Sequence, residues 1–536
     1  MKLTRTGIQE RASWEATGIS LPSYDIDLAA ANAKQSPRWA HFGIGNIFRI
    51  FIGGIADGML ENGDLDTALT CVETFDYEVA DRIYAPYDNL GLGVILHEDG
   101  RRDYRVLGCF GEVIKAQSGA PAQWNRLKEI FRAPSLQLVS FTITEKGYAL
   151  SDARGDYVPA VRADIENGPN QAGSAMGIVT AMLWERYRAG SAPLALVSMD
   201  NCSGNGSLLR SSVLTMAEEW QRRGFVEEGF VSYVQNESAI AFPWTMIDKI
   251  TPRPDPKIQD MLKADAIDGL DPIVTTKNTY AAPFVNAEEC EYLVIEDHFP
   301  NGRPALEKGG FIFTERETVD KVERMKVTTC LNPLHTALAI FGCLLDYRLI
   351  SREMENPSLK RLAERIGYDE GLPVVTNPGI LDPKEFLREV LEVRIPNPFM
   401  PDTPQRIVTD TSQKLSIRYG ETIKSYLASD TLDVSSLKLI PLVFAGWLRY
   451  LMAIDDNGQP FSLSPDSLLD TVCPYVKDIS LGGNNDLSVL DPLLRNAQIF
   501  GVDLFEAGLA DMVKDYFAKL TAGTKAVEKT LKEAVA

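Results

Sequence analysis

The chain has 536 residues, enough for two or more domains with full cores. Its 45% hydrophobic and 24% charged content is that of an ordinary globular protein. With 54 basic against 74 acidic residues the formal net charge is −20, which argues against a nucleic-acid or anionic-membrane surface. An anionic small substrate would need a local cationic pocket against that background. The seven cysteines (71, 109, 202, 290, 330, 343, 473) are scattered without a CxxC pair and read as reduced thiols of a cytoplasmic protein. The four histidines are well separated and form no HExxH, so no metal centre is expected. Met1 to Gly18 is too polar for a signal peptide, and apolar runs such as Leu442–Leu448 are too short to span a bilayer.

Residues 1–36 read as a helical or irregular lead-in. A short apolar strand, Trp39 to Gly45, then runs into a glycine turn and a helix from Ile47 to Leu60. A second strand, Ala68–Val72, ends at Glu73. Further strands are predicted at Gly93–His97, Tyr104–Leu107, Leu136–Thr144 and Leu194–Met199, with helices at Trp124–Phe131 and Gly173–Ala189. Strands alternating with helices imply an α/β fold with a parallel sheet. Past residue 295 the strand signal fades, apart from a hairpin expected at Pro304–Phe313. From Thr318 the pattern is mainly helical, ending in a Gly523–Ala536 helix. The expected division is 1–298 and 299–536.

Five segments carry polar groups suited to chemistry. Gly43, Gly45, Asn46, Ile47, Phe48 and Arg49 form a glycine turn between strand and helix, where backbone N–H groups and the helix dipole can meet a pyrophosphate. Phe48 takes the place of the third glycine of the usual fingerprint. Glu73 suits a ribose 2′-hydroxyl and repels a 2′-phosphate, which favours NAD over NADP; Asp76 competes for the role. Asn201 follows a buried strand and is placed to point its amide into a site, although Asp200-Asn201 also suits an ordinary turn. Asp248 and Lys249 lie between Pro243 and Pro252, as a site pair or an exposed ion pair.

Arg406, Asp410 and Lys414 recur every four residues, which places two cations on one helical face, for a substrate or for solvent. In Glu323–His335, Thr318 reads as the cap of a helix running to about Val327, with Glu323 and Lys326 on one side. Pro333 suits the start of a second helix capped by Asn332. A lysine beside the buried run Leu334–Leu345 is a usable general acid or base, because desolvation lowers its pKa toward neutrality.

Taken in order, His41–Arg49, Val139–Tyr148, Asp200–Gly206, Phe242–Pro252, Glu323–His335 and Arg406–Lys414 resemble the mannitol dehydrogenase family of polyol-specific long-chain dehydrogenases. The Gly-Asn-Ile-Phe-Arg loop and Val72–Asp76 resemble its hexuronate reductase branch. The resemblance implies a Rossmann-like N-terminal domain, a mainly α-helical C-terminal domain and metal-independent NAD(H) chemistry in the cleft between them. It implies Lys326 as the acid–base, Asn201 and Asn332 as the amides on the reacting oxygen, and His335 as the residue orienting substrate. Glu323 would serve a proton path, and Asp248, Arg406 and Lys414 would bind substrate. Lys249 joins Arg406 and Lys414 as a candidate for a substrate carboxylate.

The favoured reaction is reduction of D-fructuronate to D-mannonate by a monomer or homodimer, with tagaturonate and mannitol chemistry as alternatives. A catalytically inactive nucleotide-binding protein is the reading from another class. Two departures from the family pattern stand out. Lys326 lies six residues before Asn332 where five is usual, and one extra residue in a continuous helix would rotate the lysine by about 100° unless the break near Pro333 absorbs it. Thr411 stands where glycine is more frequent.

Overall fold

In the computed structural model, which describes every residue except Ala153, six strands align as one parallel sheet. They are β1 (Trp39–Phe42), β2 (Leu69–Glu73), β3 (Phe110–Lys115), β4 (Leu138–Phe141), β5 (Leu194–Ser198) and β6 (Ile240–Ala241). Their order is β3-β2-β1-β4-β5-β6, every neighbouring pair parallel. Every residue of β1, β2, β4 and β5 is buried, as expected of strands covered by helices on both faces. On one face pack the helices Pro121–Arg132, Ala175–Arg188 and Asn205–Arg222, through residues such as Leu127, Met182 and Val213. On the other pack Ile26–Gln35 and Gly53–Glu61, through Ala33, Ala56 and Met59. Strand order reverses between β1 and β4, so their carboxyl ends open a crevice suited to a ligand.

Three smaller sheets complete this unit. One orders Ile19–Ser20, Arg102–Leu107, Gly91–Leu96 and Phe284–Glu288; the second orders Thr245–Asp248, Tyr292–Glu296 and Ile312–Thr314; the third pairs Ile273–Val274 with Tyr280–Ala281. The strands at 110–115, 284–288 and 292–296 escape sequence reading because Gly111 and Glu112 interrupt the first, Asn286 the second, and Glu291 and Glu296 confine the third to a short apolar run. The hairpin expected at Pro304–Phe313 does not form. Leu306–Gly309 is a 3₁₀ turn, and Ile312–Thr314 pairs parallel with Tyr292–Glu296. That pairing keeps the segment with the N-terminal unit. The compact units are therefore Met1–Asp320 and Lys321–Ala536, dividing later than the 298/299 expected.

The C-terminal unit is helical. All 13 residues of Leu439–Leu451 are buried, and the Glu370 carboxylate caps that helix by accepting N–H groups of Lys438, Leu439 and Ile440 at 2.6–2.9 Å. The helix Arg316–Met325 starts two residues before the Thr318 cap expected for it, and it continues directly into a π turn, Lys326–Cys330, then into Asn332–Leu344. Leu331, rather than Asn332, occupies the cap position, and Asn332 is the first helical residue. Pro333 lacks the N–H that the first turn leaves unpaired anyway, so the helix restarts there without loss.

Candidate active site

β1 ends one residue before Gly43, whose φ of +94° and closeness to Thr142 (an added Cβ would lie 2.2 Å from its carbonyl oxygen) admit only glycine. Gly43 N–H donates to Val72 O at 2.9 Å, locking the turn to β2. Gly45 is exposed and faces open space. The helix starts at Asn46, so its first N–H groups lack intrahelical acceptors. A glycine turn and free helix N–H groups at the sheet's switch point fit a dinucleotide pyrophosphate.

Beneath the loop runs a directed chain of hydrogen bonds. Trp39 Nε1–H donates to Ser140 Oγ at 2.7 Å, and Thr142 Oγ1–H donates to Gly43 O at 3.0 Å. His41, fully buried between those two hydroxyls at 2.6 and 2.8 Å, therefore accepts at Nδ1 and donates from Nε2. Burial lowers its pKa to about 3, so the ring is neutral. Phe48 stacks on this ring at 4.2 Å. That contact, rather than the loop surface, is the place of Phe48. Arg49 also turns inward, donating to Ala282 O at 2.7 Å and Asn46 Oδ1 at 2.9 Å. The large side chain in the third-glycine position fills space between helix and sheet, which a glycine would have closed.

Glu73 is buried, and burial raises its pKa against four opposing backbone donors. Oε1 accepts N–H groups of Thr74, Phe75 and Asp76 at 2.8–3.1 Å; Oε2 accepts only Ile44 N–H, at 3.4 Å. One oxygen thus fixes the turn after β2 and the other keeps acceptor capacity. Asp76 accepts the Thr275 hydroxyl at 2.6 Å.

Asn201 is exposed three residues past the end of β5. Its loop is tethered from both sides. Asp200 accepts Ile143 N–H, Thr144 N–H and Tyr148 O–H at 2.7–3.1 Å. Asn205 donates to Asp200 O, Thr245 O and Thr245 Oγ1 at 2.8–3.0 Å and accepts Thr245 N–H at 3.1 Å. The loop of Asn201 is therefore joined to the strand Thr245–Asp248, whose last residue, Asp248, is buried. Lys249 departs from expectation. Its ammonium donates to Glu288 O at 2.7 Å and Glu291 Oε2 at 3.0 Å. Those bonds commit it to the fold of the N-terminal unit, where it lines a separate cavity of about 470 Å³ with Arg105 and Lys308.

In the C-terminal unit Lys326 is buried and opens the π turn, which Leu331 N–H closes onto Lys326 O at 3.1 Å. An i→i+5 turn holds one residue more than an α turn. The extra residue between Lys326 and Asn332 is taken up there, upstream of Pro333. Of the 13 residues in Asn332–Leu344, only Asn332 and His335 are not buried. They lie three apart, on one face of a helix otherwise sunk in the core. Glu323, one turn before Lys326, is partly buried.

Arg406, Asp410 and Lys414 do not share one helical face, because the helix Pro404–Ile407 ends and Asp410 adopts φ +51°. That left-handed residue is Asp410, so Thr411 stands without strain where glycine is more frequent. Arg406 pairs with Asp402, and Lys414 Nζ donates to Thr409 O. Burial, then the charge of Arg418, lowers the Lys414 pKa. Three supporting residues carried no assigned role in the sequence: Asp200 and Asn205, inside the Asn201 segment, and Arg418, the next step of the four-residue spacing.

The parallel sheet order, the glycine loop at its switch point and a separate helical unit define a two-domain Rossmann-fold dehydrogenase with a nicotinamide cofactor. Residues 37–308 match the mannitol dehydrogenase Rossmann domain and 318–521 the mannitol dehydrogenase C-terminal domain. The chain belongs to the mannitol dehydrogenase family. It is 51% identical over 538 residues to D-mannonate oxidoreductase of Thermotoga maritima, covering 100% of this chain and 99% of that protein. It is 27% identical to D-mannonate oxidoreductase of Escherichia coli, covering 93% and 92%. Among solved structures it resembles mannitol 2-dehydrogenase of Pseudomonas fluorescens in ternary complex with NAD and D-mannitol, with TM-score 0.70, 25% identity and 99% of each chain covered.

Proposed function

We propose that the chain catalyses the reversible, NAD(H)-dependent reduction of D-fructuronate to D-mannonate, with Lys326 as acid–base and no metal required. The observation that carries the site is the partial exposure of Asn332 and His335 alone on an otherwise buried helix, one π turn after a buried lysine. The substrate follows from the 51% identity to a D-mannonate oxidoreductase along the whole chain. Gly43, Gly45, Asn46 and Ile47 would hold the nicotinamide cofactor, whose chemistry would be to supply or accept the hydride. As charge grows on the ketone oxygen, the amides of Asn201 and Asn332 and the Lys326 ammonium stabilise it; one such preorganised donor is worth roughly 10²–10³ in rate. Lys326 then delivers its proton to that oxygen, and in oxidation its neutral amine takes one. His335 orients the substrate hydroxyls, Glu323 passes protons from Lys326 to solvent, and Asp248, Arg406 and Lys414 bind the sugar chain.

NAD is favoured over NADP because Glu73 and Asp76 place two carboxylates at the end of β2, one with a spare acceptor oxygen. Seven free cysteines suit a reducing cytoplasm, where the enzyme acts as a monomer or homodimer. Following NADH absorbance with fructuronate, tagaturonate and fructose tests the reading: fructuronate should give the highest kcat/KM. Faster turnover of either other ketone replaces the substrate, and no oxidation with any of the three leaves a nucleotide-binding protein without this activity.

A further inference from the structure

A substrate carboxylate needs a cation that the protein's own acids have not already neutralised. Of the basic residues considered above, Lys249 is bound to Glu291 and Arg406 to Asp402. Lys414 Nζ is spent on Thr409 O, with Asp410 and Asp466 nearby. Arg418 differs. It sits in the π turn Ser416–Gly420, partly buried between the buried Leu415 and Tyr419, and among the described residues it has no carboxylate partner. One N–H donates to Thr336 Oγ1, whose own hydroxyl donates to Asn332 O at 2.9 Å. Tyr419 O–H donates to Pro333 O at 2.5 Å, which fixes the π turn against the helix start that carries Asn332 and His335. A guanidinium has five donors in a planar fork, so most of its capacity remains.

Arg418 is also close enough to Lys414 for its charge to disfavour that of the lysine. Two neighbouring cations, one of them without an acid, are a costly arrangement that an incoming anion relieves. Guanidinium is the side chain best matched to a carboxylate, through two parallel N–H···O bonds.

We propose that Arg418 is the specificity-determining residue that binds the substrate carboxylate, beside the helix turn bearing Asn332 and His335. This rests on the hexuronate reading of the same site and names the group that separates a sugar acid from a neutral ketose. The purified full chain with NAD or NADH tests it through Arg418→Gln. With fructuronate the KM should rise by about 100-fold or more while kcat stays within a few-fold, as expected for loss of one partner of a desolvated charge pair. With fructose, kcat/KM should hardly move. Calorimetric binding of D-mannonate to the NAD complex should weaken by a similar factor, and Arg418→Lys should restore part of it. Equal losses on fructuronate and fructose, falling on kcat, would mean that Arg418 only positions Asn332 through Thr336, and would overturn the proposal. Unchanged D-mannonate binding in Arg418→Gln would overturn it as well. If the wild-type enzyme binds D-mannonate through Arg418 but turns over no hexuronate, the substrate assignment fails and the carboxylate site stands.

Discussion

Asn201 and Lys326 are held by opposite devices. Asn201 lies on an exposed loop past the end of a strand, and side chains pin that loop: Asp200 accepts three donors and Asn205 makes four bonds to its surroundings. Lys326 is buried in a helix, and its direction is set by backbone register, through the π turn that follows it. A strand-end site is thus a matter of side-chain hydrogen bonds, and each is open to deletion. A helical site depends on phase, which packing of the buried helices enforces. The largest expected effect tests the helical side. Lys326→Ala should lower turnover by roughly 10²–10⁴, the usual worth of a general acid–base. NADH affinity, measured by fluorescence titration, should stay near normal, because the glycine loop belongs to the other unit. Turnover close to wild type would remove Lys326 from the mechanism.

On the strand-end side the matching experiment is Asn205→Ala. It removes three donated bonds and leaves the buried Thr245 N–H without its acceptor. Net losses for bonds of this kind put the cost at about 2–4 kcal/mol of stability, seen as a lower thermal midpoint. Activity at a temperature where the variant is folded should also fall, through KM for the ketone as well as kcat, since Asn201 and Asp248 lie on the two segments that Asn205 joins. A variant with normal stability would show that water replaces the side chain there, and the comparison would lose one arm.

The two devices were unequally legible. Parallel strands buried on both faces read as apolar runs, and Gly43 marks a turn that only glycine can make, so β1, β2, β4 and β5 lie within three residues of their expected bounds. Lys326, Asn332 and His335 were visible as polar residues against an apolar run. The π turn between them was not, because an i→i+5 hydrogen bond has no residue signature and depends on what packs around it. The same cause hid Arg418: 406, 410, 414 and 418 have helical spacing, yet Asp410 turns left-handed and a π turn follows. The surroundings of Lys249 are not legible in the sequence, because Glu288 and Glu291 are distant from it along the chain and reach it through the folding of the sheets.

A smaller effect separates two kinds of buried acid. Glu73 and Glu370 each accept several backbone N–H groups, whereas Glu353 in the C-terminal unit is fully buried and neither oxygen is hydrogen-bonded among the described residues. Burial pushes its pKa well above 4.5, so the folded state keeps the proton to higher pH than the unfolded chain does. Between the unfolded and folded pKa values the native state holds a proton that the unfolded chain has lost, so this group makes stability fall as pH rises above about 4.5, by up to about 1.4 kcal/mol per pH unit. Glu353→Gln cannot ionise and should flatten that part of the pH–stability curve. Parallel curves for wild type and variant, from denaturant melts at pH 5 to 8, would show that the carboxyl ionises without cost.

The smallest expected effect bears on phase itself. Deleting Val327 leaves Lys326 five residues before the asparagine and removes the residue that makes the turn wide. If the π turn only absorbs an extra residue, its loss lets the i→i+4 pattern run from Arg316 into the next turn, with the flanking helices in their present phase. Lys326 then still points as it does now, and kcat/KM should stay within about tenfold of wild type, a change of about 1.4 kcal/mol or less in transition-state stabilisation. A loss far beyond that, in a variant that melts normally, would mean that the wide turn itself sets the lysine's reach. In that case backbone irregularity would belong to the chemistry in the helical unit, as the Asn205 bonds belong to it in the strand-end unit.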